Sequence, residues 1–160
     1  GDHRDLHSFP TRRSSDLINE DLAFVTSPSI PVERNGQFTM IVVVANISAL
    51  ETTFETVQAN RIEKIIFEQM GSLMGVSAAD AEMKVREYQK FMQRINHPSK
   101  NMVYAMSKAV FQKYELNDFQ DEYFKRLQSP NPLFLKRMDQ VMINFLWDWD
   151  SFFKKYKIDE

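Results

Sequence analysis

Apolar residues recur at spacings of three and four along most of the chain after position 48, and this is the period of an α-helix. The clearest run has successive spacings of four, three, four and three, at Ala81, Val85, Tyr88, Met92 and Ile95. These positions share one face of a helix, which can be buried while the opposite face remains in water. The pattern predicts a mainly α fold, a four- or five-helix bundle with a short extended or β N-terminal element.

Capping residues and breaks divide residues 48–160, the predicted helical bundle domain, into separate helices. The helix before Ser77 is predicted to end at Gly71 or Gly75, and Ser77 is a predicted N-cap. Pro98 ends the helix that follows Ser77, because proline disfavours the α conformation for the residue before it. Asn131 and Pro132 predict the start of the last helix. The other predicted N-caps, each before an amphipathic stretch, are Ser48, Ser99 and Asn117.

The last helix is predicted to continue from Pro132 to about residue 156. Its apolar residues follow a seven-residue pattern, as in helices that pack at shallow angles. These residues are Leu135, Met138, Met142, Phe145, Trp149, Phe152 and Tyr156. At about 100° per residue, Ile143 and Trp147 fall on the opposite face of this helix. Either another helix covers this pair or the pair is an exposed contact surface, and Ile143 and Trp147 are therefore the candidate partner-binding residues.

Residues 18–47 lack a comparable helical pattern, and we predict an irregular or extended N-terminal segment. Residues 38–47, FTMIVVVANI, are rich in β-branched side chains and favour a strand, although the start of a buried helix fits the same composition. Asn35 and Gly36 predict a turn before this run. A strand here would need a partner, which residues 22–26, another subunit or upstream sequence could supply.

The first seventeen residues, GDHRDLHSFPTRRSSDL, resemble the translation of a sequencing-library adapter. We interpret residues 1–17 as non-native and set them aside in predicting the fold. The gene is then expected to be cut at its 5′ end. Without this segment His97 is the remaining histidine, and the formal net charge stays at −2 because three Arg and three Asp are removed together.

Composition and motifs argue against most classes of active site. The chain has no cysteine, which excludes thiolate nucleophiles and cysteine-ligated metal centres. Asp148 and Asp150 resemble a metal-binding D-x-D motif, but inside a helix their side chains would point about 200° apart. His97 is interpreted as a solvated turn residue, and acidic residues such as Glu51, Glu63 and Glu82 as a solvated outer face. We expect no catalytic residue, no cofactor and no metal.

The near balance of charge gives no electrostatic support for binding nucleic acid or an anionic membrane. The sequence predicts a cytoplasmic, non-enzymatic interaction or regulatory module with a protein partner or self-association, no nucleic acid and no membrane. One alternative is a bundle that binds an apolar small molecule. Its expected lining is Met138, Met142, Phe145 and Trp149. A second alternative is the C-terminal fragment of a truncated enzyme.

Overall fold

A computed structural model describes residues 14–156, with side chains described as far as residue 152. In chain order the α-helices are α1 (Ser14–Asn19), α2 (Gly36–Thr53), α3 (Thr56–Met74), α4 (Ala78–Asn96), α5 (Met102–Lys113), α6 (Glu122–Leu127), α7 (Pro132–Met142) and α8 (Trp149–Tyr156). Short 3-10 turns lie at Val32–Arg34, Leu116–Phe119 and Ile143–Phe145. Over this range the chain has no β-strand, and the predicted mainly α bundle is confirmed.

The central helix α2 corrects the prediction for residues 38–47, which are helical rather than extended. It packs against α3, α4, α5 and α8. Its buried side chains are Phe38, Ile41, Val44, Ala45, Ile47 and Leu50. A helix with neighbours on several sides is apolar around most of its circumference, so it lacks the one-sided pattern that identifies a surface helix. Burial therefore stabilises a helix in a run whose β-branched residues favour a strand locally.

Three predicted helix ends are confirmed. Ser77 caps α4, and its hydroxyl accepts a hydrogen bond from Asp80 N at 3.0 Å. Asn131 caps α7 by accepting from Leu133 N at 2.9 Å, and Pro132 is the first helical residue. Gly75 ends α3 in the left-handed conformation, with φ at 72°. Each of these devices acts over three or four residues, so the sequence alone identifies it.

The other predicted helix starts are wrong. Ser48 lies inside α2, and the chain bends only at Phe54 before Glu55 and Gln58 form the capping box that starts α3. Asn101, rather than Ser99, caps α5 through Tyr104 N. Asp121, rather than Asn117, caps α6 through Phe124 N. In both cases the cap is the residue whose side chain reaches the free N–H groups of the first turn.

The N-terminal segment begins with α1, which spans the boundary predicted between residues 17 and 18. Ser15 and Ile18 of this helix are buried. Beyond it, Phe24 forms a single antiparallel bridge with Gln120. Asp21 accepts two hydrogen bonds from Arg137 of α7, at 2.7 and 3.0 Å. Residues 1–13 of the predicted adapter translation lie outside the described residues.

Two apolar clusters hold the bundle together. The main cluster includes Val85, Tyr88 and Met92 of the predicted α4 stripe, with Ile95 packed at its edge. Ala81, the first residue of that stripe, is buried as well. The smaller one, which we name the α2–α3 cluster, has Leu50, Phe54 and Ala59 at its centre. Its partly buried members are Ile62, Ile66, Trp149 and Phe152. No helix within residues 14–156 has the length and apolar character needed to cross a bilayer.

Candidate functional site

The C-terminal part of the chain is not the single helix predicted. The α7 helix ends at Met142, a 3-10 turn follows, and Leu146 is extended with φ at −83° and ψ at 127°. A second helix, α8, begins at Trp149. The predicted seven-residue pattern therefore spans two helices: Leu135, Met138 and Met142 are buried in the main core, whereas Trp149 and Phe152 pack on the α2–α3 cluster.

The break is held by Asn46 of α2. Its Nδ2 donates to the carbonyl oxygen of Phe145 at 2.9 Å, and its Oδ1 accepts from the backbone N–H of Trp147 at 2.6 Å. The backbone groups of these two residues are thus bonded to α2 instead of to a continuous last helix. A side-chain amide that satisfies both a carbonyl and an N–H removes much of the cost of interrupting a helix.

Both candidate partner-binding residues are exposed. The exposed fraction is 62% for Ile143 and 60% for Trp147. Because the helix is interrupted between them, they are not neighbours on one helical face, as the sequence had suggested. They lie instead on either side of the bend that Asn46 holds.

Trp147 is backed by an ordered aromatic group. Its ring centroid lies 6.1 Å from that of Trp149. Trp149 donates from Nε1 to the carbonyl oxygen of Asn46 at 2.9 Å and contacts Phe54 edge-on, with centroids 5.9 Å apart. Phe152 lies on it at 5.8 Å. Trp149 is therefore a fixed support, and Trp147 presents its indole to solvent from that support.

The pair Asp148 and Asp150 does not lie in the middle of a helix as predicted. Asp148 precedes α8, and its two carboxylate oxygens accept from the backbone N–H and the hydroxyl of Ser151 at 3.0 and 2.8 Å. It acts as a helix cap. Across residues 14–156, no group of three or more acidic or histidine side chains is placed to hold a metal ion. His97 is exposed at the end of α4.

A partly buried polar cluster joins α2, α3 and α4, and it contains three acids that the sequence had placed on a solvated face. The guanidinium of Arg86 contacts Glu51 at 2.8 Å, Glu63 at 2.9 Å and Glu82 at 3.3 Å. The Glu63 side chain is only 5% exposed. For Glu63 the prediction of a solvated position is therefore wrong. We refer to these four residues and Gln89 as the Arg86 cluster.

The acids of the Arg86 cluster titrate differently. Burial and a hydrogen bond shared with Glu51 raise the pKa of Glu63 to about 7, against the opposing effect of Arg86. Burial also disfavours ionised Glu51, but hydrogen bonds from Glu63, Gln89 and Arg86 outweigh it and lower the pKa of Glu51. When two carboxyl groups share one site, one pKa rises and the other falls. Glu63 is the group that takes the proton.

An open cavity of about 350 Å³ lies between α4, α5 and the loop before α7. Its apolar lining comes from Ile95, Phe111 and Leu135, and Lys108 supplies a positive charge. The Lys108 Nζ lies 4.2 Å from the ring centroid of Tyr104, another lining residue. This cavity is not lined by Met138, Met142, Phe145 or Trp149, which were the expected lining of a ligand site.

One signal in the sequence could have found Glu63. Ala59, Glu63 and Phe67 follow one another at spacings of four, so the carboxyl group lies within the buried face of α3. A charge within an apolar stripe requires a partner, and Arg86 on the next helix supplies it. The bend before Trp147 had no such signal, because Asn46 lies about a hundred positions before the two residues whose backbone groups it binds. No protein-family model, curated protein or solved structure matches this chain.

Proposed function

We propose that the chain is a non-enzymatic protein-interaction module that pairs with a second copy of itself through a surface centred on Trp147 and Ile143. The observation that supports this proposal is the exposure of Trp147, at 60%, although its backbone and its neighbour Trp149 are both fixed by hydrogen bonds to Asn46. An exposed indole on a fixed support is suited to contact another surface.

Energetics favour a contact role for Trp147. Tryptophan is enriched among the residues that contribute most to protein–protein binding, because burying its large ring removes much apolar surface from water. A side chain whose backbone is already ordered loses less conformational entropy on binding. The hydrogen bond to Asn46 orders the backbone of Trp147 in the unbound chain.

An exposed apolar surface can bind the same surface of a second copy without needing a separate complementary partner. In a two-fold dimer the same patch contributes from both subunits, so an apolar patch is its own complement. Trp147 and Ile143 carry no charge that would repel the same residues of a second copy.

The test is the mass of the full chain in solution, measured by light scattering over a range of concentrations, for the wild type, Trp147→Ala and Tyr123→Ala. Tyr123 is the matched control, because it is an aromatic residue on α6 with an exposed fraction of 68%. We expect the wild type and Tyr123→Ala to dimerise and Trp147→Ala to be a monomer. We also expect the monomeric stability of Trp147→Ala to stay within about 0.5 kcal/mol of the wild type, as for exposed positions in general.

Three results would contradict this proposal. A wild type that stays monomeric at all concentrations removes the dimer. A Trp147→Ala variant that still dimerises places the interface elsewhere. A monomeric variant that unfolds much more easily than the wild type assigns Trp147 a structural role.

Binding of a small molecule is the second candidate function, and the cavity beside Lys108 favours it. The cavity has the size of a small-ligand site and combines apolar walls with one cation, which suits an aromatic or aliphatic anion. An anilinonaphthalene sulfonate dye is a suitable probe. We expect saturable binding that weakens in Lys108→Gln and is unchanged in Lys90→Gln, a control at an exposed residue of α4. Equal binding by all three proteins excludes this site.

A further inference from the structure

Glu63 lies where three helices meet. It is on α3, its Oε1 accepts from Arg86 Nη2 of α4 at 2.9 Å, and Glu51 approaches it from α2. The guanidinium of Arg86 also lies over the ring of Phe67, one turn further along α3, at 5.5 Å. The charged groups that act on Glu63 are therefore Arg86 from α4 and Glu51 from α2, and Glu82 of α4 contacts the same Arg86.

The hydrogen bonds of the Arg86 cluster leave one oxygen without a donor. Both oxygens of Glu51 are satisfied, Oε1 by Gln89 Nε2 at 2.8 Å and Oε2 by Arg86 Nη1 at 2.8 Å. Gln89 is satisfied as well, because Ser48 Oγ accepts from its Nε2 and its Oε1 accepts from Arg86. Glu63 Oε2 is buried and has no hydrogen-bond partner. An ionised carboxylate accepts hydrogen bonds only, so neither Glu51 nor Glu82 can satisfy this oxygen.

The charge of the cluster adds to the cost of ionising Glu63. Three carboxylates around one guanidinium carry a net charge of −2, and one proton reduces it to −1. A proton on Glu63 also creates an O–H donor, which Glu51 can accept. Protonation thus removes a buried unpaired acceptor and a repulsion between carboxylates in one step.

We propose that Glu63 is a proton-binding site that couples the packing of α3 against α2 and α4 to pH in the neutral range. The proton is held between Glu63 and Glu51, and its release leaves two facing carboxylates on one guanidinium. Leu50 and Ile62, the chain neighbours of these acids, belong to the α2–α3 cluster that also holds Trp149. The proton site therefore lies next in sequence to this cluster, at the contact between α2 and α3.

The direction of the pH effect follows from linkage. The pKa of Glu63 is about 7 in the folded chain and has its ordinary value of 4.5 in the unfolded chain. Between these values the folded state binds more protons than the unfolded state, so stability falls as pH rises. The contribution of Glu63 is complete below the unfolded value and is lost as pH rises through the folded value.

The test is chemical unfolding of the full chain at about pH 5.5 and about pH 8, on either side of the Glu63 pKa of about 7. We compare the wild type with Glu63→Gln and Glu82→Gln. A Gln at position 63 can accept from Arg86 and donate to Glu51 at any pH, like the protonated acid. Glu82 is the matched control, because it contacts the same Arg86 but its side chain is 48% exposed.

Between the two pH values, we expect the folding equilibrium constant of the wild type to fall by roughly tenfold or more relative to Glu63→Gln, since each unit of pKa difference corresponds to a factor of ten. Glu82→Gln should follow the wild type. The proposal is wrong if the wild type and Glu63→Gln show the same pH dependence, or if Glu82→Gln removes the effect equally.

A second measurement needs no variant to fold. Carbon NMR of the side-chain carboxyl groups in the wild type reports each glutamate separately as pH changes. We expect one glutamate with its midpoint near 7, well above the ordinary value of 4.5. If every glutamate titrates near the ordinary value, Glu63 is ionised at neutral pH and the proton site does not exist.

Discussion

Asn46 and Trp147, 101 residues apart in the chain, are joined by a hydrogen bond of 2.6 Å from the backbone N–H of Trp147 to Asn46 Oδ1. The same amide donates to the carbonyl oxygen of Phe145 and, within α2, to that of Val42. One polar side chain on the central helix therefore binds the backbone on both sides of Leu146, between α7 and α8, and orders the backbone of Trp147. Stability predictions follow from this contact and from three others in the bundle.

Asn46→Ala should lower the free energy of unfolding by about 1–2 kcal/mol, because two hydrogen bonds to partly buried or exposed backbone groups are lost, each contributing about 0.5–1.5 kcal/mol. The carbonyl of Phe145 and the N–H of Trp147 lose their partner on α2. Denaturant unfolding measures the change. Asn144→Ala is the control, because Asn144 is exposed and bonds only within its own turn, to Gln140 O. Equal effects of the two variants would show that Asn46 does not stabilise the bend.

Tyr114→Phe should cost about 1–2 kcal/mol, because one hydroxyl satisfies two backbone groups. The hydroxyl accepts from Phe38 N at 3.1 Å and donates to Arg34 O at 2.6 Å, which ties the start of α2 to α5. Burial raises the pKa of this tyrosine. Tyr123→Phe, at an exposed position on α6, is the control. Hydrogen exchange at the Phe38 amide gives an independent measure, and unchanged protection would contradict the prediction.

Gly71→Ala should destabilise the chain by about 1–3 kcal/mol, as overpacking of a tight contact does. A Cβ atom at Gly71 would lie 2.7 Å from the carbonyl oxygen of Val76 and 3.1 Å from the backbone N of Ala78. Backbone atoms cannot turn away as a side chain can, so the α3–α4 turn must shift. Gly36→Ala is the control, since a Cβ atom there meets nothing within 4 Å. Thermal unfolding that ranks Gly36→Ala as the worse variant would overturn the argument.

Arg86→Ala should cost about 2–3 kcal/mol at neutral pH, below the full cost of breaking a buried ion pair because Arg86 is 33% exposed. The loss should increase as pH rises, because ionised Glu51 and Glu63 then face each other without the guanidinium. Arg126→Ala breaks an exposed pair with Glu122 and should change stability by less than about 0.5 kcal/mol. A loss that is independent of pH would show that Arg86 contributes through its packing on Phe67 alone.

The helical class of the fold and some of the helix ends could be predicted from the sequence, whereas the helix starts predicted at Ser48, Ser99 and Asn117 were wrong. Ser77, Gly75 and the pair Asn131 and Pro132 act through hydrogen bonds and backbone preferences within one turn, and the stripe of α4 needs only its own period. These features depend mainly on residues close in sequence. The sequence also singled out Ile143 and Trp147, but the helical face on which it placed them does not exist.

The conformation of residues 38–47, the bend before Trp147 and the environment of Glu63 depend on contacts between segments that are distant in sequence. A run that is apolar on all sides fits a strand or a helix, and only the neighbours of α2 select the helix. The bend depends on an amide from a distant helix, and the proton affinity of Glu63 depends on Arg86 and Glu51 on two other helices. Local propensities amount to less than about 1 kcal/mol per residue, so buried hydrogen bonds and burial of charge override them where distant segments meet.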